Sequence, residues 1–572
     1  MKAQKIVISV LVALATVICG VFSLDKEWWK HASIYEIYLR SFKDSDGDGI
    51  GDIQGLISKL DYLVEIGVDT IYMTPFYPSA MADGGYDVTD YKGIYHEYGT
   101  MDDFDQLMKE IKSRDLYFIM DLVINHSSDE HEWFQKSIDK IDPYTNYYVW
   151  ADPKGYDWNG TAIPPNNWFS VFTLMQEGTA WIWNEKRKQF YLHQCHPRQP
   201  DFNLRNEAVK KEIQDIMTFW LDKGVSGFRV DAPMMFMEDE QLRDNPPLKS
   251  IVTAWTVFEE CERTINHPES YKFVNELNVF LRKYDRESGK PIQTALLGET
   301  YGPINQVVKY YGTKKFPAFH IPFNFLLQFL TTYQNARGLH DYLHTWLDKV
   351  PKGMTSNWVM GNHDQGRIAG NLNSEYNYIL LAITTMLPGA STVYYGEELG
   401  LAANKLVSIK DIYNRFSHRT PMQWDDSRNA GFSTAEKPWT PLHPNYWHMN
   451  VQTQRTDINS TLNYFKDLMS LRKTDTMIYG DLKFYIISEW VLAFSRASKQ
   501  TGYIIVMNLG TETEPMDWPI EMNHFSITLT VVASSPNSGY KKGFKIKTRG
   551  NYPLTSVLRP HSIVILSSSD IH

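Results

Sequence analysis

The stretch VSGFRVDA, Val225–Ala232, is a short apolar run that ends on a charged residue. A run of this length, with Val and Phe and bounded by Gly and Pro, reads as a buried β-strand. Arg229 and Asp231 lie two apart, so on a strand both side chains point the same way. The segment before it, EAVKKEIQDIMTFWLDKG (Glu207–Gly224), has helical periodicity, and the next apolar run is TALLGET (Thr294–Thr300). Strand, helix and strand in this order predict parallel β/α units. Six further runs extend the pattern: SIYEIYLRSF, GVDTIYMTPF, LYFIMDLVINH, FHIPFNF, NWVMGNH and STVYYG. MDDFDQLMKEIKSRD (Met101–Asp115) is another amphipathic segment between two of them. Eight such strands fit a (β/α)8 barrel of the TIM type.

Two regions break the pattern. Residues 127–203 are rich in Trp, Pro, Asn and Gly and lack long helical periodicity, which predicts a small domain inserted after the third strand. A second irregular stretch, about 402–445, follows the eighth strand. After Thr476 the chain turns to short alternating runs, DLKFYII, WVLAFSRA, GYIIVMNL, FSITLTVV and SIVIL, which predict a C-terminal antiparallel β-domain. The expected organisation is therefore a barrel over 24–126 and 204–475, an insertion over 127–203 and a β-domain over 476–572. The whole is α/β.

The chain of 572 residues is 43% hydrophobic and 22% charged, an ordinary globular composition. Its net charge of −10, with no long basic run, argues against nucleic acid as a partner. Aromatic residues make up 14%, and aromatic faces and hydroxyls suit flat polar ligands such as sugars as well as large cores. Lys2 and Lys5 precede an apolar run from Ile6 to Leu24. Residues 1–23 read as a secretory signal, cleaved near Gly20–Ser23, so the expected location is extracellular, with no membrane contact after cleavage. The alternative is an uncleaved N-terminal anchor. Beyond Cys19, Cys195 and Cys261 remain and could pair in an oxidising compartment. Sequons at Asn159 and Asn459 are expected to be usable, and one at Asn125 to be buried and bare.

In a barrel of this kind, reactive residues sit at the C-terminal ends of the strands. DLVINH (Asp121–His126), GFRVDA (Gly227–Ala232), LLGET (Leu296–Thr300) and GNHD (Gly361–Asp364) all end apolar runs with polar groups. An Arg beside Asp231 favours its ionised form, as a nucleophile requires. Partial desolvation at the end of ALLGE would raise the Glu299 pKa, as a general acid requires. Asp364 is flanked by His363. Two carboxyls in opposed environments point to glycoside hydrolysis, and no HxH or HExxH spacing supports a catalytic metal.

These four segments, in this order, resemble the signature regions of glycoside hydrolase family 13, the α-amylase family. QPDFN (Gln199–Asn203) and RTPMQWD (Arg419–Asp425) resemble its α-glucosidase branch, and with YPSAMADGGYD the chain is most similar to the insect maltase and sucrase α-glucosidases. The resemblance runs from about Trp28 into the C-terminal domain. It implies a retaining α-glucosidase that releases single terminal α-1,4-linked glucose units from maltose, short malto-oligosaccharides and sucrose. Asp231 would be the nucleophile, Glu299 the acid/base and Asp364 the transition-state stabiliser. Arg229 would orient Asp231, and Asp121 would support the site through hydrogen bonds. His126 and His363 would bind sugar hydroxyls, and Tyr86 would stack under the ring. Asp83 and Arg419 would close the pocket as a pair. Ala232 would go with α-1,4 preference. The chain departs from the branch at Phe416, where Asp is usual, at Phe202, where Leu is usual, and at MQEGTAW (Met175–Trp181), where a Gly-rich turn is usual. These departures blur the outer subsites. Two other readings share the fold: a non-catalytic transporter heavy chain, against which the intact acids argue, and a glucosyl-transferring enzyme.

DSDGDGIGD (Asp44–Asp52) spaces Asp44, Asp46 and Asp48 like the start of an EF-hand loop, but Gly55 stands where the bidentate Glu would be. The resemblance implies a single structural cation held by Asp44, Asp46, Asp48, Asp52 and the Ile50 carbonyl. Hard oxygen ligands favour Ca2+, with Mg2+ the alternative. Catalysis needs no metal.

Overall fold

The computed structural model describes residues 27–171, 178–248, 258, 260–290, 292–329, 335–367, 369, 375–407, 415–499, 501–548 and 556–569. The N-terminal apolar run and part of MQEGTAW lie outside the described residues. Among those described, no helix is long and apolar enough to cross a membrane.

Eight parallel strands form one sheet: β1 (Ser33–Ile37), β2 (Thr70–Met73), β3 (Tyr117–Leu122), β4 (Gly227–Val230), β5 (Ala295–Gly298), β6 (Ile321–Pro322), β7 (Asn357–Val359) and β8 (Ala390–Tyr394). Their order is β6-β5-β4-β3-β2-β1-β8-β7, a barrel open at one seam. Seven lie inside the runs read from the sequence, and β8 begins one residue before its run, at Ala390. The strands are shorter than those runs because the chain turns early. After β1 it enters a 3-10 helix at Leu39–Ser41.

Between β6 and β7 side chains replace the ladder. The Asn324 backbone N–H donates to Asn357 Oδ1 (2.7 Å), and Asn357 Nδ2 donates to the Pro322 carbonyl (2.7 Å). Pro322 has no N–H to give to a ladder, so an asparagine completes the closure.

The helices cover the barrel with apolar faces. Met101–Ser113 starts at a capping box, in which Thr100 and Asp103 exchange bonds, and buries Phe104, Leu107, Met108 and Ile111. Glu207–Asp222 is capped by Asn206 and buries Val209, Ile213, Ile216, Met217, Trp220 and Leu221. The insertion carries a three-stranded antiparallel sheet of Trp150–Ala151, Gln189–Leu192 and Trp181–Asn184. It has its own small core around Trp168, Trp181, Phe190 and Leu192. Phe202, a departure in the sequence, stacks on Tyr148 of the insertion (ring centroids 4.9 Å) and lies 6.3 Å from the Tyr91 ring of the barrel, so it fills the joint between the two.

The C-terminal sheet has six antiparallel strands: β9 (Asp481–Ile486), β10 (Val491–Ala497), β11 (Gly502–Asn508), β12 (Thr528–Ser534), β13 (Lys545–Lys547) and β14 (Ile563–Ser568). Their order is β9-β10-β11-β14-β12-β13. Strand β13 was not legible in the sequence. Cys195 and Cys261 are both buried and free, so the pair left open by the sequence does not form. Cys195 faces Met235 instead, with Sγ 3.7 Å from Sδ. Asn125 is 1% exposed, whereas Asn159 and Asn459 are exposed.

Candidate active site

The site is built on the strands' C-terminal ends. Register places Asp121 of β3 beside Arg229 of β4. Arg229 Nη1 donates to Asp121 Oδ1 (2.8 Å) and to Asp231 Oδ1 (2.6 Å), while Nη2 lies 3.1 Å from Glu299 Oε1. One guanidinium therefore holds three carboxyls. Tyr72 and Tyr86 hydroxyls donate to Asp121 Oδ2 (2.7 and 2.8 Å). The side chains of Arg229 and Asp121 are 2% and 0% exposed, against 10% for Asp231, 9% for Glu299 and 23% for Asp364. The supports are sealed in and the three acids reach solvent.

Ala232, which follows Asp231, has a left-handed backbone (φ 45°, ψ 42°). That turn directs its N–H to Glu299 Oε2 at 3.1 Å. A non-glycine residue in this region carries strain of order 1 kcal/mol, and a β-branched side chain would carry more.

Burial and the Glu299 charge push the Asp231 carboxyl well above its ordinary value, against the pull of Arg229. Burial also pushes Glu299 up, again against Arg229 and with Asp364 adding to the rise. The sequence reading of Asp231 as simply ionised by Arg229 thus needs correction. The guanidinium is shared among three acids, and close carboxyls disfavour double ionisation. Each carboxyl opposes the other's ionisation, and the shorter guanidinium contact, 2.6 Å against 3.1 Å, is the one to Asp231.

Asp364 behaves differently. Burial would raise it, but His363, Arg415 and Arg419 hold it well below the usual carboxylate range. Its Oδ1 meets Arg419 Nη2 at 2.9 Å and Arg415 Nη1 at 3.0 Å, and its Oδ2 lies 3.1 Å from His363 Nε2. Asp83 pairs with Arg415 Nη2 and accepts from Gln199 Nε2 (3.1 Å). The expected Asp83–Arg419 pair is therefore not the one formed. Arg419 lies four residues further along the chain and turns its Nε to the His363 carbonyl (2.8 Å), leaving Arg415 to reach Asp83. Sequence reasoning missed Arg415. Its signal was a second Arg four positions before the RTP motif.

His126 is buried, which pushes its pKa down to about 4, and its Nε2 lies 3.2 Å from the Tyr86 carbonyl. It is a neutral hydrogen-bonding group at neutral pH. The Tyr86 ring stacks on His363 (centroids 5.3 Å, 9° between planes). Phe416 packs edge-on against Trp439 (5.4 Å).

In the first βα loop, ligand oxygens of Asp44, Asp46 and Asp48 all lie within 4.8 Å of one another. Asp52 is not among them. Its two oxygens accept from the Ser45 N–H and hydroxyl and from the Gly55 N–H, so it caps the helix Ile53–Ile57.

Two carboxyls on one arginine, at the C-terminal end of a β/α barrel, fit a carboxylate-based glycoside-cleaving site. The chain belongs to the α-amylase family: the family described as "Alpha amylase, catalytic domain" matches residues 36–480. It is a glycoside hydrolase. It is 39% identical over 511 residues to Maltase 1 of Drosophila virilis, covering 86% of this chain and 80% of that protein. It is 36% identical over 551 residues to the salivary alpha-glucosidase of Aedes aegypti, covering 92% and 93%. A human amino acid transporter heavy chain is 34% identical, covering 89% and 74%. Among solved structures, an isomaltulose synthase mutant of Erwinia rhapontici in complex with D-glucose superposes with a TM-score of 0.80 at 28% identity, covering 95% and 99%.

Proposed function

We propose that this chain is a secreted, retaining, exo-acting α-glucosidase that removes terminal α-1,4-linked glucose from maltose, short malto-oligosaccharides and sucrose. The observation that carries the reading is the single guanidinium of Arg229 shared by Asp231 and Glu299. It keeps the two carboxyls close, as double displacement requires (about 5–5.5 Å). Asp231 attacks the anomeric carbon while Glu299 gives its proton to the leaving glycosidic oxygen. The covalent glucosyl ester on Asp231 is then attacked by water, whose proton returns to Glu299. Asp364, kept ionised, offsets the positive charge that develops on the ring. The Asp83–Arg415 bridge beside Asp364 supports closure beyond the terminal glucose, and hence single-unit release. The salivary and maltase relatives support the substrate class and secretion.

The test is incubation with maltose, sucrose, isomaltose and an aryl α-glucoside, with product anomers followed by NMR. We expect glucose from maltose, and α-glucose as the first sugar released from the aryl α-glucoside, whose only glucose is the transferred unit. β-Glucose from the aryl glucoside would overturn the retaining mechanism, and no released glucose would overturn the hydrolase. Dominant trisaccharides or isomaltulose would instead place the enzyme with glucosyl-transferring relatives such as the isomaltulose synthase.

The Asp44, Asp46 and Asp48 cluster fits a hard divalent cation: its donor set is all carboxylate oxygen, and Asp44 is 2% exposed. Ca2+ is the proposed occupant, with a structural role, and Ile50 adjoins the cluster as a carbonyl donor. Chelator should lower the Tm by about 5 °C, and Asp44→Asn should lower it similarly while abolishing the chelator effect. A Tm indifferent to chelator would remove the cation.

A further inference from the structure

Glu36 is a charged residue within β1, 1% exposed and in register with Tyr72 of β2. Its Oε1 accepts twice from one residue: from His363 Nδ1 at 2.6 Å and from the His363 backbone N–H at 3.1 Å. We infer that Glu36 is a positioning residue, which clamps the ring and backbone of His363 from behind and keeps that ring fully protonated against Asp364 and Tyr86. The inference rests on the α-glucosidase reading only for its kinetic readout.

Counting protons gives the charge. The Tyr86 hydroxyl has one hydrogen, donated to Asp121 Oδ2 (2.8 Å). With that hydrogen on Asp121, the oxygen, 2.6 Å from His363 Nε2, accepts, which assigns a proton to Nε2. Nδ1 faces a carboxyl oxygen and donates there. With both nitrogens donating, His363 is an imidazolium. The other groups facing it agree. Asp364 Oδ2 lies 3.1 Å from Nε2. The Tyr38 ring lies parallel at 6.4 Å. His418 Nε2 and Arg419 Nε bind the His363 carbonyl (2.9 and 2.8 Å) rather than its ring. His418 is itself pushed down to about 3 by burial and Arg419, so it adds no charge. For His363, burial lowers the pKa, but Asp364 and Glu36 outweigh it and push it up to about 9. The charge is thus present below about pH 9 and lost above it. It fixes Asp364 and presents a cationic donor beside the pocket.

Glu36→Gln keeps the shape and an acceptor for Nδ1 but removes the charge. We expect the alkaline limb of kcat/KM for maltose to move down by at least about one pH unit. Glu36→Asp, which restores a carboxyl, should recover part of that shift. A purely structural role would leave the limb in place, and an unchanged limb in an active, folded Glu36→Gln enzyme overturns the inference. Should Glu36→Gln not fold, the wild-type protein decides. With 13C-labelled histidine, and the His363 resonance assigned from His363→Asn, that imidazole should stay protonated past pH 8. Titration near pH 6.5 overturns the inference. This readout needs no turnover, so absent maltase activity would count against the proposed function alone.

Discussion

Asp231→Asn should lower kcat on maltose by about 10⁴-fold or more and leave a folded protein that is as stable as, or more stable than, the parent. The loss is large because the amide cannot form the glucosyl ester, and no neighbouring acid can replace it. Glu299 is bound to the Ala232 N–H and to Arg229 on the other side of the pair. Stability follows from the sign of the pKa shift. Burial and Glu299 raise the Asp231 carboxyl. Charging it in the fold is therefore unfavourable, and that cost grows as pH rises above the unfolded value of about 4. Asparagine removes it at neutral pH while Arg229 keeps Asp121 and Glu299. The measurements are steady-state hydrolysis and a thermal melt. Retained turnover, within tenfold of the parent, would remove Asp231 as the nucleophile.

Arg229→Leu should be the most destabilising single change at the site. It leaves Asp121, Asp231 and Glu299 without their shared cation, and Asp121 has no route to solvent. Removing one partner from a buried charge network costs about 3–5 kcal/mol. Tyr72 and Tyr86 still donate to Asp121, which limits the loss. Turnover should fall with stability, since the Asp231–Glu299 pair loses its spacer. Arg229→Lys separates the two effects. It restores charge but offers one ammonium where a fork is needed, so we expect partial recovery of the denaturation midpoint with little recovery of kcat. Full activity in the lysine variant would show that bridging is not what Arg229 supplies.

The barrel was legible because each parallel strand is buried on both faces and reads as an apolar run. The acids were legible because charge stands out where those runs stop. Glu36 was visible in SIYEIYLRSF by the same logic, as a charge in mid-strand, but it was passed over because it does not end a run. What contacts what was harder. The choice between Arg415 and Arg419 for Asp83 depends on how one loop turns. Nothing in RFSHRTP fixes which fork reaches which acid. Asp52 belongs to an acidic series by spacing, yet it serves a helix N-terminus, because capping depends on the direction of the next few residues. Glu299 is raised by burial as expected, but the lowering expected for Asp231 is not found, for a similar reason. A sequence shows Arg229 near Asp231 but not that two further acids draw on it.

The asparagine seam between β6 and β7 also divides the candidate catalytic residues. Glu299 follows β5 and Asp231 follows β4, on one flank, whereas Asp364 and His363 follow β7, on the other. The flanks are continuous the long way round the barrel; the short way, among the described residues, they meet through side-chain bonds rather than a ladder, at Asn324 and Asn357 and at Tyr301, whose hydroxyl accepts from Asn362 and Gln365. A few amide contacts are easier to part than a register of backbone bonds, so loosening there widens the gap across the glucose site while both halves stay folded. We therefore expect activity to be lost at temperatures below the melting point. A calorimeter would record an intact protein at temperatures where an assay already finds none.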